Sequence, residues 1–354
     1  METVSTFQTY EVSATKIDTK ITKHRSRRVR YFFVAMAIIF PILIAIGFGL
    51  DAVAISANQY EVHWFAYFHG AVMTLWLVVF LSQSILAAMG NLKFHRRLGL
   101  FSVGLGVFVW LSMVIATIRV FIAFPPPVDD FIWDTLLIQL EGIVLFGVFF
   151  TWGILKRNKA AVHKRLLFFS TLILVQAGID RITFLPQLYS AFFVRFIYFD
   201  ALIIPLLIYD FVTSRRIHRI TILGSMIIII VQIYIALSAG TPAWHQFWFN
   251  RLAPFVEYVV EIKPTDAQIE PLLGDYGDKN WHMTVLREKD KVFLKLPDQP
   301  GLELGATSEN EWFVKITAWK VSFIRDNHGK VTKIINRQPI KTWEAQRFVI
   351  ESAH

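Results

Sequence analysis

His69, Arg119, Gln139, Glu141, Asp180, Arg181, Arg195 and Asp200 are polar side chains set inside long apolar stretches. An ionisable group in such surroundings costs on the order of 2.5 to 3.5 kcal/mol on membrane-insertion scales, so it normally turns inward and finds a partner. Arg119, Arg181 and Arg195 can be met there by Glu141, Asp180 and Asp200, with His69 beside them. Two readings follow. In the first, the set lines a polar cavity that binds a small anionic or zwitterionic molecule. A variant of it is a proton-coupled transporter or membrane enzyme that uses the carboxylates as proton carriers and Arg119 or Arg181 as an anion clamp. In the second, the set is an ion-paired network that fixes helix packing. Arg119 and Arg195 lie near enough to the ends of their stretches to snorkel. Glu141, Arg181 and Asp200 lie deepest.

A second set repeats a spacing. His95-Arg96-Arg97-Leu98 and His163-Lys164-Arg165-Leu166 each open an apolar stretch, and His218-Arg219-Ile220 echoes them weakly. A helix N-terminus offers free N–H groups and the positive end of a dipole. His95, Arg96, Arg97, His163, Lys164 and Arg165 therefore form a candidate anion site, with lipid phosphate as its occupant. The alternative is plain electrostatic anchoring at the membrane surface.

Other chemistries fare less well. Bis-histidine haem needs two imidazoles at one depth on facing helices. His69 lies towards one side, while His95, His163 and His218 sit at helix ends on the other. The expectation is no cofactor, with a haem-linked redox protein as a weaker third reading. A zinc hydrolase needs three convergent ligands, and only His69 belongs to the deep polar layer, so no metal is expected. The chain has no cysteine, which excludes thiolate and iron–sulfur chemistry. Ser13-Ala14-Thr15-Lys16 matches S-x-x-K, but it lies in a polar tail without partner motifs. On balance the chain reads as a binding or sensing protein rather than an enzyme.

The elements that must position these residues are seven apolar stretches, at 31–50, 64–89, 98–124, 131–155, 165–188, 191–212 and 220–239. Each has about the 20 residues needed to cross a hydrocarbon core about 30 Å thick. No water is available there, so each backbone must satisfy its own hydrogen bonds as a helix. The stretches are too long and too uniformly apolar to be strands of an outer-membrane barrel. At about 1.5 Å of rise per residue, the polar layer lies roughly 6 to 15 Å from one membrane surface. Pro41 and Pro205 are expected to kink their helices.

Orientation follows from the basic residues. They fill the tail before residue 31 and alternate loops: Lys93, Arg96 and Arg97; Lys156, Arg157, Lys159, Lys164 and Arg165; Arg215, Arg216 and Arg219. The opposite loops hold Asp51, Glu61, Asp129 and Asp130 and no basic residue. The positive-inside rule places the N-terminus in the cytoplasm and, after seven crossings, the C-terminus outside. The expected site is the bacterial cytoplasmic (inner) membrane, with the first stretch an uncleaved anchor. The net charge is +9, and it resides entirely before residue 246. It calls for anionic lipid headgroups as partners and for no nucleic acid.

From about residue 261 the composition changes. Charged residues become frequent, and turn clusters separate short runs at 281–286, 291–296, 311–316, 321–325 and 331–336, which read as antiparallel strands joined by hairpins. The expected organisation is a disordered cytoplasmic tail (1–30), a seven-helix domain (31–239), an interfacial linker (240–260) and an extracytoplasmic β-domain (261–354). The fold class is thus an all-α transmembrane bundle followed by a small antiparallel, barrel-like sheet. Without disulfides, that outer domain must hold by its core alone.

Two resemblances attach to these motifs. The run His69-Gly70, Trp76, Gln83, His95-Arg96-Arg97-Leu98-Gly99, His163-Lys164-Arg165-Leu166 and Gly240-Thr241-Pro242-Ala243-Trp244 resembles a family of uncharacterised bacterial multi-spanning membrane proteins. The resemblance implies topology and no activity. The tail, with Leu272-Leu273-Gly274-Asp275-Tyr276, Val292-Phe293-Leu294 and Phe323-Ile324-Arg325-Asp326, is similar to a β-rich domain of unknown function that often follows serine β-lactamase-like hydrolases. It implies a small antiparallel barrel, and the hydrolase itself is missing here.

Overall fold

A computed structural model describes residues 31–49, 52–53, 61–122, 130–182, 184–185, 196–252, 260–278, 282–296, 301–315, 319–338 and 341–348. The expected tail at 1–30 and the site residue Arg195 lie outside the described residues. Seven helical segments are long and apolar enough to span a membrane: α1 (Tyr31–Gly49), α2 (Trp64–Ala88), α3 (Leu92–Ile122), α4 (Asp130–Leu155), α5 (Ala160–Ile179), the pair α6 (Ile197–Ala201) and α7 (Ile204–Ser214), and α8 (Arg219–Ser238). The chain is an integral membrane protein. Ile38, Val78, Phe101, Leu111, Val144 and Ile230 stand exposed on these helices. Apolar faces of that extent are stable only against lipid.

Several boundaries differ from the sequence expectation. Helices α3 and α5 begin at Leu92 and Ala160, so His95 and His163 each occupy the fourth position of a helix and do not precede it. The sixth span is broken between Ala201 and Ile204, with Pro205 in the first turn of α7. Proline lacks the N–H that a continuing helix needs, yet it fits a first turn, so the chain restarts there. Helix α1 passes Pro41 without interruption. The expected interfacial linker contains α9 (Pro242–Leu252).

Internal packing divides the chain into two compact units, one within Met1–Phe48, Val72–Phe108 and Leu145–Ile230, the other within Gly49–Ala71, Val109–Val144 and Val231–His354. In the first, α5 is the central element. Of its apolar window 61% is buried, against 22 to 39% for the other spans, so α5 faces helices where they face lipid. Phe168 sits 5.4 Å from the Phe40 ring and Phe169 sits 5.3 Å from Phe149. The buried Trp76 indole donates to the Thr171 hydroxyl at 3.2 Å.

The second unit contains the β-domain. Strands β2 (Gly274–Gly277), β3 (His282–Glu288), β4 (Lys291–Lys295), β5 (Leu302–Ala306), β6 (Glu311–Val314), β7 (Lys320–Arg325), β8 (Val331–Arg337) and β9 (Lys341–Phe348) each pair antiparallel with the next. Strand β9 returns to β2 through Asp275↔Phe348 and Tyr276↔Arg347, which closes an eight-stranded barrel. Closure removes the free sheet edges that otherwise invite aggregation. Alternate residues such as Met283, Val285, Val292, Leu294, Val321 and Phe323 point inward and are buried. Phe323 packs 6.2 Å from both Tyr276 and Trp312, so side chains fill the lumen, as eight strands allow.

Helix α10 (Asp266–Ile269) and a following 3-10 turn add Ile269 and Leu272 to this core. The Tyr276 hydroxyl donates to the Leu272 carbonyl at 2.7 Å, and burial pushes that phenol up to about 12. A further short strand, β1 (Glu61–Val62), precedes α2 and pairs with the start of β9 through Glu61↔Thr342 and Val62↔Lys341.

Candidate functional site

The second unit holds a chain of polar and aromatic groups where α2 begins and α3 ends. His63 starts α2: its carbonyl accepts the Ala66 N–H at 2.8 Å, and its Nδ1 accepts the Phe65 N–H at 3.1 Å. A neutral imidazole has one acceptor nitrogen, and here Nε2 faces a donor as well as Nδ1. The Arg119 guanidinium lies 2.9 Å from that Nε2 and 5.7 Å over the Phe65 ring. A guanidinium only donates, so the Phe65 N–H and Arg119 compete for the single ring lone pair, and among the described residues no carboxylate pairs with Arg119.

Phe65 stacks on His69 with centroids 6.3 Å apart. His69 Nδ1 lies 3.1 Å from the Ser112 hydroxyl, which itself donates to the Val109 carbonyl at 2.8 Å. The hydroxyl hydrogen is thus committed, so Nδ1 of His69 donates and its Nε2 is left as an acceptor. Helix α4 carries half-buried Gln139 and buried Glu141. At its first turn, Asp134 accepts the Gly240 N–H at 2.9 Å and sits 3.2 Å from His245 Nε2. Gly240 has φ +70°, the left-handed conformation that ends α8 and turns this N–H outward. His63, Ser112, Asp134 and His245 were not foreseen. The sequence signal for His63 is its place directly before the first apolar residue of α2, where a helix needs a capping acceptor.

The remaining deep polar residues belong to the first unit. Asp180 ends α5 and accepts from the Gln176 amide at 2.6 Å. Arg181 donates to the Ala177 carbonyl at 2.7 Å and lies 4.4 Å over the Phe48 ring. Asp200 is half-buried in α6. The structure thus brings His69 and Arg119 into one connected group through Phe65, and places Asp180, Arg181 and Asp200 in the other unit.

The basic helix starts are organised differently from one another. Arg96 and Arg97 are exposed, with Arg97 5.8 Å over the Phe94 ring. Arg165 is buried. Its guanidinium forks onto the carboxylate of Asp210 and also donates to the Ala161 carbonyl at 2.6 Å. Asp210, fully buried in α7, further accepts the Thr221 hydroxyl and the His218 N–H. Beside it, Lys164 donates to the Tyr209 hydroxyl at 2.7 Å and lies 4.9 Å over the Phe33 ring. Asp210 is the missed residue here. It is a lone acid at a span end flanked by basic loops.

His95 and His163 come together, with ring centroids 6.4 Å apart and planes at 87°. Among the described residues, no group of three or more His, Asp or Glu side chains is placed to hold a metal ion. No family model, curated protein or solved structure matches the chain.

Proposed function

We propose that the protein is a membrane-embedded binding or sensing protein that holds a small anionic or zwitterionic molecule where α2 begins and α3 ends. The observation that carries this reading is the position of Arg119. Its guanidinium has a neutral imidazole, shared with the Phe65 N–H, and an aromatic face as partners, so among the described residues its charge lacks an acceptor of opposite sign. A carboxylate or phosphate entering there gains charge-assisted hydrogen bonds from Arg119, while the Phe65 face supports the cation from one side. The Nε2 acceptor of His69 then favours a ligand with a donor as well as an anionic group. In this reading the site opens to the extracytoplasmic face of a bacterial inner membrane, the barrel stands on that face, and the basic loops meet anionic lipid on the other.

The test is thermal unfolding of the detergent-solubilised protein with acetate, inorganic phosphate or glutamate. A bound ligand raises the midpoint logarithmically with its concentration above Kd, through about 2.7 kcal/mol of added stability at a hundredfold excess over Kd. Arg119→Gln should abolish the rise. A midpoint indifferent to all three compounds, or one that rises equally in Arg119→Gln, refutes the proposal.

A further inference from the structure

The α2–α3 and α4–α5 turns end in the same device. In each, the fourth residue of the following helix is a histidine whose Nδ1 contacts a carbonyl of the preceding helix: His95 to Gln83 O at 3.3 Å and His163 to Gly153 O at 2.8 Å. A carbonyl oxygen only accepts, so each Nδ1 carries the hydrogen and each neutral ring keeps its lone pair on Nε2. Neither Nε2 has a hydrogen-bond partner among the described residues.

This is the state in which proteins present histidine to metals. A ligating imidazole characteristically donates its other N–H to a carbonyl or carboxylate, which fixes the tautomer and orients the ring. The spacing agrees. Centroids 6.4 Å apart equal two metal–nitrogen bonds of about 2.0–2.1 Å each plus two ring radii only in a straight line, the trans arrangement of a square-planar or octahedral ion. A third feature belongs to the residue whose carbonyl holds His95: the side-chain oxygen of Gln83 is buried and accepts no hydrogen bond, while its amide nitrogen donates to Ser102 at 3.1 Å. A metal-bound water would supply the hydrogen that this oxygen lacks.

We propose that His95 and His163 are the two protein ligands of a first-row transition-metal ion, bound between the two turns through their Nε2 atoms. Trans imidazoles suit tetragonal Cu2+ or Ni2+ rather than tetrahedral Zn2+. Two protein ligands leave the remaining positions to water or an external anion, so the site is open and exchangeable.

The test uses the full-length protein in detergent, stripped with a chelator. Equilibrium dialysis against Ni2+ should give one ion per chain. His95→Phe and His163→Phe, which keep a planar ring, should each weaken it by at least about 10- to 100-fold, the loss known for outer-shell partners alone. Pulsed electron paramagnetic resonance of the wild-type Cu2+ form needs no variant and should count two bound imidazole nitrogens. Well under one ion per chain, affinity unchanged in the double variant, or a Cu2+ signal lacking two imidazoles overturns the proposal. A Soret band in the wild type that vanishes in these variants also overturns it, since the ligand would then be a haem.

Discussion

At the scale of single residues, the Arg165–Asp210 pair shows what burial demands of charge. The guanidinium and the carboxylate are both enclosed, and each remaining polar atom has a protein partner: Ala161 for Arg165, Thr221 and His218 for Asp210. Removing one member of such a pair leaves an uncompensated buried charge and costs about 3–5 kcal/mol, whereas replacing both with apolar groups is close to neutral. Arg165→Met and Asp210→Leu should each sharply lower the thermal midpoint in detergent, and the double variant should recover most of the loss. Simple addition of the two losses would show that the pair is not coupled. Arg165 was legible in the sequence as a cation at a helix start, and lipid phosphate was its expected partner. Asp210 was not legible, because counting basic residues per loop passes over a single acid at the end of a span.

At the scale of elements, the closest helix crossing rests on two glycines. A Cβ added to Gly47 of α1 would lie 2.0 Å from the Gly178 carbonyl oxygen of α5, a backbone atom that no rotamer change can move aside. Gly104 of α3 has nothing within 4 Å of the same position. Gly47→Ala should therefore destabilise by about 1–3 kcal/mol, the usual cost of overpacking. Gly104→Ala should be neutral or stabilising by up to about 1 kcal/mol through helix propensity. Equal midpoints for the two variants would refute the close crossing. Span positions were legible because bilayer thickness sets helix length. Which glycines meet was not, since many small residues in these spans could form such a contact. In the barrel, β3, β4, β6, β7 and β8 were legible from alternation between turn clusters. Strand β2 is only Gly-Asp-Tyr-Gly, and β9 carries mostly polar residues, so neither offers a period to read.

At the scale of the whole molecule, one pairing constrains topology independently of charge. Strand β1 lies in the connection between α1 and α2, and it adds to β9 of the barrel that follows the seventh span. Pairing requires that connection and the barrel to share a membrane face. Seven crossings satisfy this, since the connection after the first span and the segment after the seventh emerge on the same side, opposite the N-terminus. Six crossings would not. Which side is which is then a prediction of the positive-inside rule. The absence of cysteine makes the chain a clean background for labelling single introduced thiols. Ser308→Cys lies on an exposed barrel turn, and Asn158→Cys lies in the exposed α4–α5 turn without altering its charge. A membrane-impermeant maleimide should label Ser308→Cys on intact cells and Asn158→Cys only after permeabilisation. Labelling of both positions from outside would contradict the span count, and the reverse pattern would invert the assignment of faces while leaving the β1–β9 constraint intact.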